Sequence, residues 1–300
     1  MIVNIKKNSD IANYFNITYV VTESCNYHCP YCMQFKKSIK DTNPKLITLI
    51  SKQINKIIGE LKQQGKNIDF HLIGGEVSIY DIKNLILKNI DLSNIYRFSM
   101  VTNLSRSVEY YDELFKYLTD NNVEIRIKAS FHPTETSKED FINKLLKLKK
   151  YNIIASLLLT QVKFYDVYDF YNELVQNGID TSVSVERIFG HPIDISFLTE
   201  KEKNLIQKDK CIFRVTYDNG SKDLLTKFEL LNKINTTKNY LCDVNLSKLI
   251  IGSKGEIRNS CTQQKNNRTI FNFKPNYNFI KCNTNYNCTL YAINELKYEE

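Results

Sequence analysis

Cysteine is the residue type in this sequence that points most clearly to chemistry, because thiolates bind metals and react as nucleophiles. The chain has eight cysteines, and Cys25, Cys29 and Cys32 follow one another with the spacing C-x3-C-x2-C. Three thiolates on one short loop can bind three irons of a cubane iron–sulfur cluster and leave the fourth iron open. A structural zinc site would need a fourth ligand, and His28, inside the loop, is poorly placed to supply it. The spacing therefore predicts a cluster whose open iron can bind a reactant.

The other five cysteines lie in the last third of the chain. Four of them could form a closed site, and both a zinc ion and a second iron–sulfur cluster fit four thiolates. These four are Cys242, Cys261, Cys282 and Cys288. Cys211 is left over, and one interpretation is a buried free cysteine that packs as a small hydrophobic residue.

The elements that must position the triad alternate between strands and helices. Runs of β-branched and aromatic residues predict strands at 17–22, 69–73, 97–102, 124–130, 153–160 and 181–187. Amphipathic spacing predicts helices between them at 44–65, 80–90, 108–120, 137–150 and 164–177. This alternation is typical of βαβ units, and right-handed crossovers curl six of them into an open parallel sheet or partial barrel. The triad directly follows the first strand, at the edge where such folds place reacting groups.

The pattern changes after about residue 195. A helix is predicted near 198–208, followed by two hairpins with turns at 218–220 and 252–255. We therefore expect two domains, an α/β partial barrel over residues 1–195 and a small α+β domain over residues 196–300 that holds the second set of cysteines.

Composition and charge limit the function further. The sequence contains no apolar run of the ~20 residues that span a bilayer and no secretory signal. We therefore expect a cytoplasmic protein without membrane partners, whose cysteines stay reduced. The net charge is +8, but its lysines and arginines are scattered. Nucleic-acid binding is therefore not expected, because a nucleic-acid face concentrates basic residues.

Three motifs together resemble the radical S-adenosylmethionine (SAM) superfamily over roughly residues 15–190. They are the cysteine triad with Tyr31 before its last cysteine, Gly74-Gly75-Glu76 at the end of the second predicted strand, and Thr102-Asn103 at the end of the third. The family usually has proline after its GGE motif, where this sequence has Val77. We expect that departure to affect the shape of the loop more than the chemistry.

The resemblance implies a partial (β/α)6 TIM-like barrel and an enzyme that uses a [4Fe-4S] cluster and SAM. In the family, the open iron chelates the methionine amino and carboxylate groups of SAM. One electron from the reduced cluster then cleaves SAM to methionine and a 5′-deoxyadenosyl radical, which abstracts a hydrogen atom from the substrate. An electron donor such as ferredoxin or flavodoxin is therefore an expected partner. The resemblance assigns cofactor contacts to Tyr31, Gly74, Gly75, Glu76 and Asn103, with the GGE motif expected to hold the methionine amino group.

Polar side chains at the ends of later strands are further candidates. Ser130 could contact the SAM ribose or carboxylate, or could cap its own backbone. His132 in the same segment could touch the substrate in a catalytic role, or could be a plain turn residue before Pro133. Glu186, next to Arg187 at the end of the sixth strand, could bind cofactor or substrate.

The C-terminal extension resembles the twitch, or truncated SPASM, domain, in which one auxiliary [4Fe-4S] cluster follows a radical SAM barrel. This resemblance favours iron–sulfur over zinc as the occupant of the four-cysteine site. It also adds two hypotheses for Cys211. The thiol could be an extra ligand, or it could give a hydrogen atom to a substrate radical, as in radical SAM peptide epimerases.

Extensions of this kind are similar to those of enzymes that modify peptides, namely ribosomal-peptide maturases and sulfatase-maturating enzymes. A peptide is therefore the leading substrate hypothesis, with a radical SAM oxidoreductase or maturase as the enzyme class. The alternative is dehydrogenation, epimerisation or carbon–carbon bond formation on a small molecule in antibiotic or cofactor biosynthesis.

Overall fold

The computed structural model describes residues 1–7, 14–32, 43–186, 195–207, 212–226, 229–230, 233–234, 236–258, 268–272, 279–282 and 295–299. The strands are β1 (Ile2–Lys7), β2 (Tyr14–Thr22), β3 (Asn67–Gly74), β4 (Ile95–Thr102), β5 (Glu124–Ser130), β6 (Ile153–Leu159), β7 (Thr181–Val185), β8 (Ile212–Tyr217), β9 (Lys222–Thr226), β10 (Tyr240–Cys242), β11 (Lys248–Ile251), β12 (Ile280–Lys281) and β13 (Glu295–Tyr298). The helices are α1 (Pro44–Gln63), α2 (Ile82–Leu85), α3 (Val108–Asp120), α4 (Lys138–Lys147), α5 (Val167–Gln176), α6 (Glu200–Gln207) and α7 (Val244–Ser247). Within these ranges every helix is too short or too polar to cross a membrane.

Strands β2 to β7 form a parallel sheet in sequence order, and β11 adds beside β2 as a seventh strand. The six predicted strands are therefore confirmed. Alternate side chains of each strand enter the core shared with the helices, as Ile125 and Ile127 of β5 do, while Arg126 between them is exposed. In the described part of the chain β7 pairs only with β6, and β11 pairs with β2 and, through Ile251, with Ile257 of its own hairpin. Among these described strands the two edges of the sheet do not pair with each other, so the barrel is open.

Helix α1 shows why the local sequence folds as predicted. Asn43 caps its first turn by accepting a hydrogen bond from Lys45 N, and Pro44 occupies the first turn, where its missing N–H costs nothing. Gly65 follows the helix with a φ of 73°, a conformation that glycine adopts without strain. The buried residues of α1 recur at helical spacing: Ile47, Ile50, Ser51, Ile54, Ile57, Ile58 and Leu61.

A second, antiparallel sheet has the order β12-β10-β13-β1-β8-β9. Its own small core contains Ile5 of β1, Phe213 and Val215 of β8, and Leu296 of β13. The hairpin predicted around the turn 218–220 is confirmed, since β8 and β9 pair antiparallel on either side of it.

Each sheet contains a strand that comes from the opposite end of the chain. β1, from the amino terminus, lies in the antiparallel sheet, and β11, from the C-terminal region, lies in the parallel sheet. Leu249 and Ile251 of β11 are buried in the main core. The predicted boundary at residue 195 therefore does not separate the two sheets, and the division into independent domains stays a prediction.

The helix predicted near residues 80–90 is confirmed only in part. The chain forms only the single turn α2 and a 3-10 turn over Leu87–Asn89. The Asn89 side chain donates hydrogen bonds to the carbonyls of Leu85 at 3.1 Å and Asn84 at 3.3 Å. These bonds take up carbonyls that a continuing helix would use, which is how asparagine competes with helix formation.

Candidate functional site

The cysteine triad lies on the loop that follows β2, at the edge where the carboxyl ends of the parallel strands meet. Cys25 is partly buried, Cys29 is buried and Cys32 is exposed, and all three are free thiols. A hydrogen bond of 3.0 Å from Cys32 N to the Cys29 carbonyl closes a turn between the last two. Three thiols are thus carried by one short loop at the end of the sheet where α/β enzymes place reacting groups.

Neighbouring groups donate hydrogen bonds to the thiols. Cys25 Sγ accepts from Tyr27 N at 3.4 Å and from Asn103 Nδ2 at 3.9 Å. Burial raises the pKa of Cys29 to about 11, while hydrogen bonds from the side chains of Tyr31 and Thr134 oppose that shift. Metal binding at Cys29 must therefore displace the thiol proton, as it does at cysteine ligands generally.

This donor set fits a [4Fe-4S] cluster held at three irons, because such clusters bind cysteine thiolates and are tuned by hydrogen bonds to sulfur. Tyr27 and Asn103 supply donors of that kind to Cys25. Among the described residues no three His, Cys, Asp or Glu side chains converge as ligands of a single ion. In a cubane each thiolate binds a different iron, so a three-cysteine cluster site does not require such convergence.

Gly74 and Gly75 bring the end of β3 into backbone contact with the triad loop. Gly75 N donates to the Thr22 carbonyl and Glu76 N to the Ser24 carbonyl, both at 2.9 Å. A Cβ at Gly74 would lie 2.3 Å from the Thr22 oxygen, and a Cβ at Gly75 would lie 2.0 Å from the Ser24 oxygen. Both clashes are with backbone, which cannot rotate away, so the close approach requires glycine at these two positions.

Glu76 is 1% exposed, and its carboxylate links β3 to β4. Oε1 accepts from Ser78 N at 2.9 Å and from the Thr102 hydroxyl at 2.8 Å, and Oε2 accepts from Asn103 N at 2.6 Å. Burial raises the pKa of Glu76, while these hydrogen bonds oppose that shift. The Ser78 side chain also forms a hydrogen bond with this carboxylate, so hydrogen bonds within the chain use about all four of its acceptor sites. The expected contact with a methionine amino group stays a prediction.

Asn103, another expected cofactor contact, is 5% exposed and its side chain binds the triad loop. Nδ2 donates to Asn26 Oδ1 at 3.2 Å as well as to Cys25 Sγ, and Oδ1 accepts from Ser105 N at 3.0 Å. Glu76 and Asn103 together therefore connect β3, through the end of β4, to the first cysteine of the triad.

Tyr31 and His132 come together on the other side of the loop. The Tyr31 hydroxyl lies 3.1 Å from His132 Nδ1, and the two rings are nearly parallel, with centroids 6.0 Å apart. The Tyr27 ring packs edge-on against His132, and the Phe164 ring packs at a tilt against Tyr31. Burial lowers the pKa of His132, so the imidazole is neutral at pH 7. The structure thus places His132 beside the triad loop, where it contacts a residue of the triad motif.

Sequence reasoning named Tyr31 and His132 separately and missed Tyr27 and Phe164. The signal available for these two was that each is an aromatic residue in a loop that directly follows a strand. Phe164 is 37% exposed and Val162, in the same loop, is 65% exposed. The loop after β6 therefore presents apolar side chains at the edge of the sheet where the triad lies.

The remaining strand-end candidates lie at the same edge. Within the described part of the chain the Ser130 hydroxyl has no hydrogen-bond partner. Glu186 Oε2 accepts from Gln161 N at 3.3 Å, and Glu186 N donates to the Leu159 carbonyl at 2.7 Å. Glu186 thus fastens the loop after β6, and contacts of Ser130 or Glu186 with a cofactor or substrate stay predictions.

Two of the C-terminal cysteines lie close together in the antiparallel sheet. Cys242 ends β10 opposite Ile280 of β12, and Cys282 N donates to the Tyr240 carbonyl at 2.8 Å. By strand alternation Cys242 and Cys282 are diagonal neighbours on one face of the sheet. Both cysteines are buried, and the Thr237 hydroxyl lies 3.3 Å from Cys282 Sγ. The other three C-terminal cysteines lie outside the described residues. They are Cys211, predicted as a possible hydrogen donor, and Cys261 and Cys288, predicted as two ligands of the second cluster.

A family model described as the radical SAM superfamily matches residues 19–192, which is 174 of the 300 residues of the chain. The match includes the end of β2, all of β3 to β7, the triad, the Gly74-Gly75-Glu76 segment and Asn103. No curated protein sequence matches the chain.

Several solved structures match the chain at low sequence identity. One, described as native anSMEcpe with bound AdoMet and Cp18Cys peptide, is 13% identical over 82% of this chain and 73% of its own, with a TM-score of 0.48. Streptococcus suis SuiB bound to S-adenosylmethionine is 16% identical over 86% of this chain and 64% of its own, with a TM-score of 0.40. Coproporphyrinogen III oxidase (HemN) from Escherichia coli is 12% identical over 74% of this chain and 52% of its own, with a TM-score of 0.40. The chain thus spans less than two thirds of the length of SuiB and of HemN.

Proposed function

The chain belongs to the radical SAM superfamily, and on this premise we propose that it carries a second [4Fe-4S] cluster and modifies a peptide. A bound cluster and SAM supply the radical chemistry, and the residues of the chain position them. Cys25, Cys29 and Cys32 hold the first cluster, and Asn103 donates a hydrogen bond to one of its thiolates. Glu76, after β3, and Ser130, at the end of β5, lie at the edge of the sheet where SAM is expected to bind.

The proposal of a second cluster is carried by the Cys242–Cys282 pair. One buried cysteine ends β10 and the other follows β12, on one face of a sheet, and this arrangement favours ligands of one metal group over scattered core residues. Cys261 and Cys288 would complete a four-cysteine site, and iron–sulfur is preferred to zinc because the extension resembles a twitch domain. The Thr237 hydroxyl is positioned to donate to one of the thiolates.

Iron and zinc analysis of anaerobically reconstituted protein tests the second cluster. We expect about eight irons per chain in the wild type, from two cubanes of four. A variant with both Cys242→Ala and Cys282→Ala should hold about four, and so should a variant with the three triad cysteines replaced by alanine. A wild-type count near four irons with about one zinc would contradict the second cluster and leave the first intact.

The peptide substrate is supported by the arrangement of the C-terminal extension. After the buried Cys242, the chain forms the second predicted hairpin, in which Ile251 bridges Ile257 across the turn and Gly252 N donates to the Glu256 carbonyl at 2.8 Å. A cysteine, a hairpin with a glycine turn and further cysteines form the pattern that resembles the extensions of peptide-modifying enzymes.

Protease treatment of a substrate source distinguishes a peptide from a small molecule. Reconstituted protein is incubated anaerobically with SAM, dithionite and a heat-treated extract of the source cells, and 5′-deoxyadenosine is measured. We expect the extract to stimulate 5′-deoxyadenosine formation, and a broad-specificity protease, removed before the assay, to abolish that stimulation. Stimulation that survives digestion would contradict a peptide substrate and favour a small molecule.

A further inference from the structure

We propose that Arg258, in the C-terminal hairpin, is a positioning residue of the SAM-cluster site. Its guanidinium holds the beginning of the triad loop, so this hairpin forms part of the site that the barrel was expected to form alone. Arg258 and its partner Glu23 lie outside the cysteine triad, the Gly74-Gly75-Glu76 motif and the Thr102-Asn103 motif.

The hairpin is fixed firmly against the strand that carries the triad. β11 pairs in parallel register with β2, from Lys248 opposite Asn16 to Ile251 opposite Tyr19. Beyond the turn, Arg258 N donates to the Ile250 carbonyl at 2.8 Å. Ile257, beside Arg258, is buried in the main core. The backbone that carries Arg258 is therefore anchored to the barrel by strand pairing and by burial.

A second carboxylate, that of Glu256, orients the guanidinium of Arg258 toward the triad loop. Arg258 Nε donates to Glu256 Oε1 at 2.8 Å, and Glu256 Oε2 in turn accepts from Lys254 N in the hairpin turn at 3.0 Å. With its orientation set in this way, Arg258 Nη2 donates to Glu23 Oε1 at 3.0 Å. The side chains of Arg258 and Glu23 are 39% and 31% exposed, so water screens the pair only in part.

Glu23 lies between the end of β2 and Cys25, where it controls the direction in which the triad loop leaves the sheet. On one side, the loop is held by the hydrogen bond from Glu76 N to the Ser24 carbonyl and by Asn103. Arg258 holds it from the other side, through Glu23. Removal of Arg258 therefore takes away a contact that holds the loop from that side, and the three thiols become less well fixed relative to one another.

Four variants test this role: Arg258→Gln, Arg258→Lys, Glu23→Gln and the double variant Glu23→Gln/Arg258→Gln. The matched control is Lys83→Gln, which breaks the Lys83–Glu113 ion pair of 2.7 Å outside the site. Three quantities are measured without substrate: the dissociation constant of SAM for reconstituted protein, the rate of iron loss to a chelator, and amide exchange over residues 23–32 in apoprotein. Thermal denaturation of each variant checks the fold.

We expect Arg258→Gln to weaken SAM binding about fivefold, which corresponds to ~1 kcal/mol and is the upper range for a partly exposed ion pair. Iron loss and exchange over residues 23–32 should accelerate by a similar factor, with little change in melting temperature. Arg258→Lys should restore part of the effect, because lysine keeps the charge but lacks the forked donor geometry. The double variant should be no worse than the more severe single variant, since both remove the same contact.

Wild-type SAM affinity and exchange rates in Arg258→Gln would overturn the proposal, and so would additive effects of the two single variants. An equal effect of Lys83→Gln would reduce the result to general destabilisation and also overturn it. The measurements use no substrate and no second-cluster ligand, so failure here is separate from failure of the proposed peptide substrate or auxiliary cluster.

Discussion

At the scale of single residues, the site depends on contacts that bring neighbouring strand ends close together. Glu76 is the clearest case, because both oxygens of its carboxylate accept hydrogen bonds from backbone N–H groups, one from Ser78 and one from Asn103. A backbone N–H can only donate, so both terminal atoms of the side chain at position 76 must be hydrogen-bond acceptors.

Glu76→Gln is therefore expected to be destabilising in either orientation of the amide. Whichever position the NH2 group takes, it faces a backbone N–H of Ser78 or Asn103 and leaves that buried donor unsatisfied. The free energy of unfolding should fall by about 1–3 kcal/mol, measured by urea denaturation of apoprotein. Glu60→Gln, on the exposed face of α1, should change it by less than about 0.5 kcal/mol. Equal stability of wild type and Glu76→Gln would contradict the hydrogen-bond assignment.

Gly75→Ala tests the close approach of β3 to the triad loop. The added Cβ would lie 2.0 Å from the Ser24 oxygen, and the loop must move to relieve the clash. We expect a loss of about 1–3 kcal/mol of stability from overpacking and SAM affinity reduced at least tenfold. The control is Gly59→Ala within α1, where a Cβ meets nothing within 4 Å and alanine should stabilise the helix by about 0.5–1 kcal/mol. Normal SAM binding by Gly75→Ala would show that the approach is not required.

At the scale of elements, helix α6 is coupled to the loop after β6 through one glutamate. Thr199 and Glu202 form a capping box, in which Thr199 N donates to Glu202 Oε2 at 2.8 Å and Glu202 N donates to Thr199 Oγ1 at 3.3 Å. Lys163 Nζ, from the loop after β6, lies 3.2 Å from the same carboxylate oxygen. Burial raises the pKa of Glu202, but the bonds from Thr199 and Lys163 outweigh it, and the net pKa lies below the ordinary value of 4.5.

Because the folded state lowers this pKa, the ionised carboxylate contributes stability above pH 4.5, and that contribution disappears as the pH falls through the lower folded-state pKa. We expect Glu202→Gln to cost about 1 kcal/mol at pH 7 and to approach wild-type stability as the pH falls through the folded-state pKa of Glu202. Glu200→Gln, at a position 84% exposed in the same turn, should change stability at pH 7 by less than about 0.5 kcal/mol. A wild-type advantage that grows on acidification would reverse the sign and refute this account.

The elements that the sequence predicted best are those with strong local patterning. α3 and β5 have the predicted bounds, because Ser107 caps the helix and β5 alternates between buried and more exposed positions along its length. The helix predicted near residues 80–90 is shorter than expected because the Asn89 side chain bonds to the carbonyls of Asn84 and Leu85, which hydrophobic spacing does not reveal. The cysteine triad and glycine motif were predictable because thiol chemistry and close backbone approach restrict the residue type.

At the scale of the whole molecule, the pairing of strands from opposite ends of the chain could not be predicted from local pattern. β1 pairs with β8 and β13, and β11 pairs with β2, across more than 200 residues of sequence. The Arg258–Glu23 pair spans a separation of 235 residues and escaped prediction for the same reason. Such contacts depend on how the completed sheets meet, and hydrophobic periodicity carries no information about them.

Because β11 pairs with β2 in the parallel sheet, we expect the C-terminal region to stabilise the barrel. Ile251 of β11 is fully buried in the main core, so Ile251→Ala should cost about 2–5 kcal/mol. Amide exchange should accelerate in β2 and β3 as well as in β11. Leu224→Ala, at a position 56% exposed on β9, should leave β2 unchanged. Faster exchange confined to residues after 195 would instead indicate an independent C-terminal domain.

The central claim is that the triad loop, held by β3, β4 and the C-terminal hairpin, is the site of SAM cleavage. Its most direct test is 5′-deoxyadenosine formation by reconstituted protein with SAM and dithionite, compared between wild type and the variant with Cys25, Cys29 and Cys32 replaced by alanine. Wild type should form 5′-deoxyadenosine and methionine in equal amounts, and the variant should form neither while it keeps the irons of the second cluster. Equal 5′-deoxyadenosine formation by the two proteins, or none by a wild type that holds its full iron, would contradict the account.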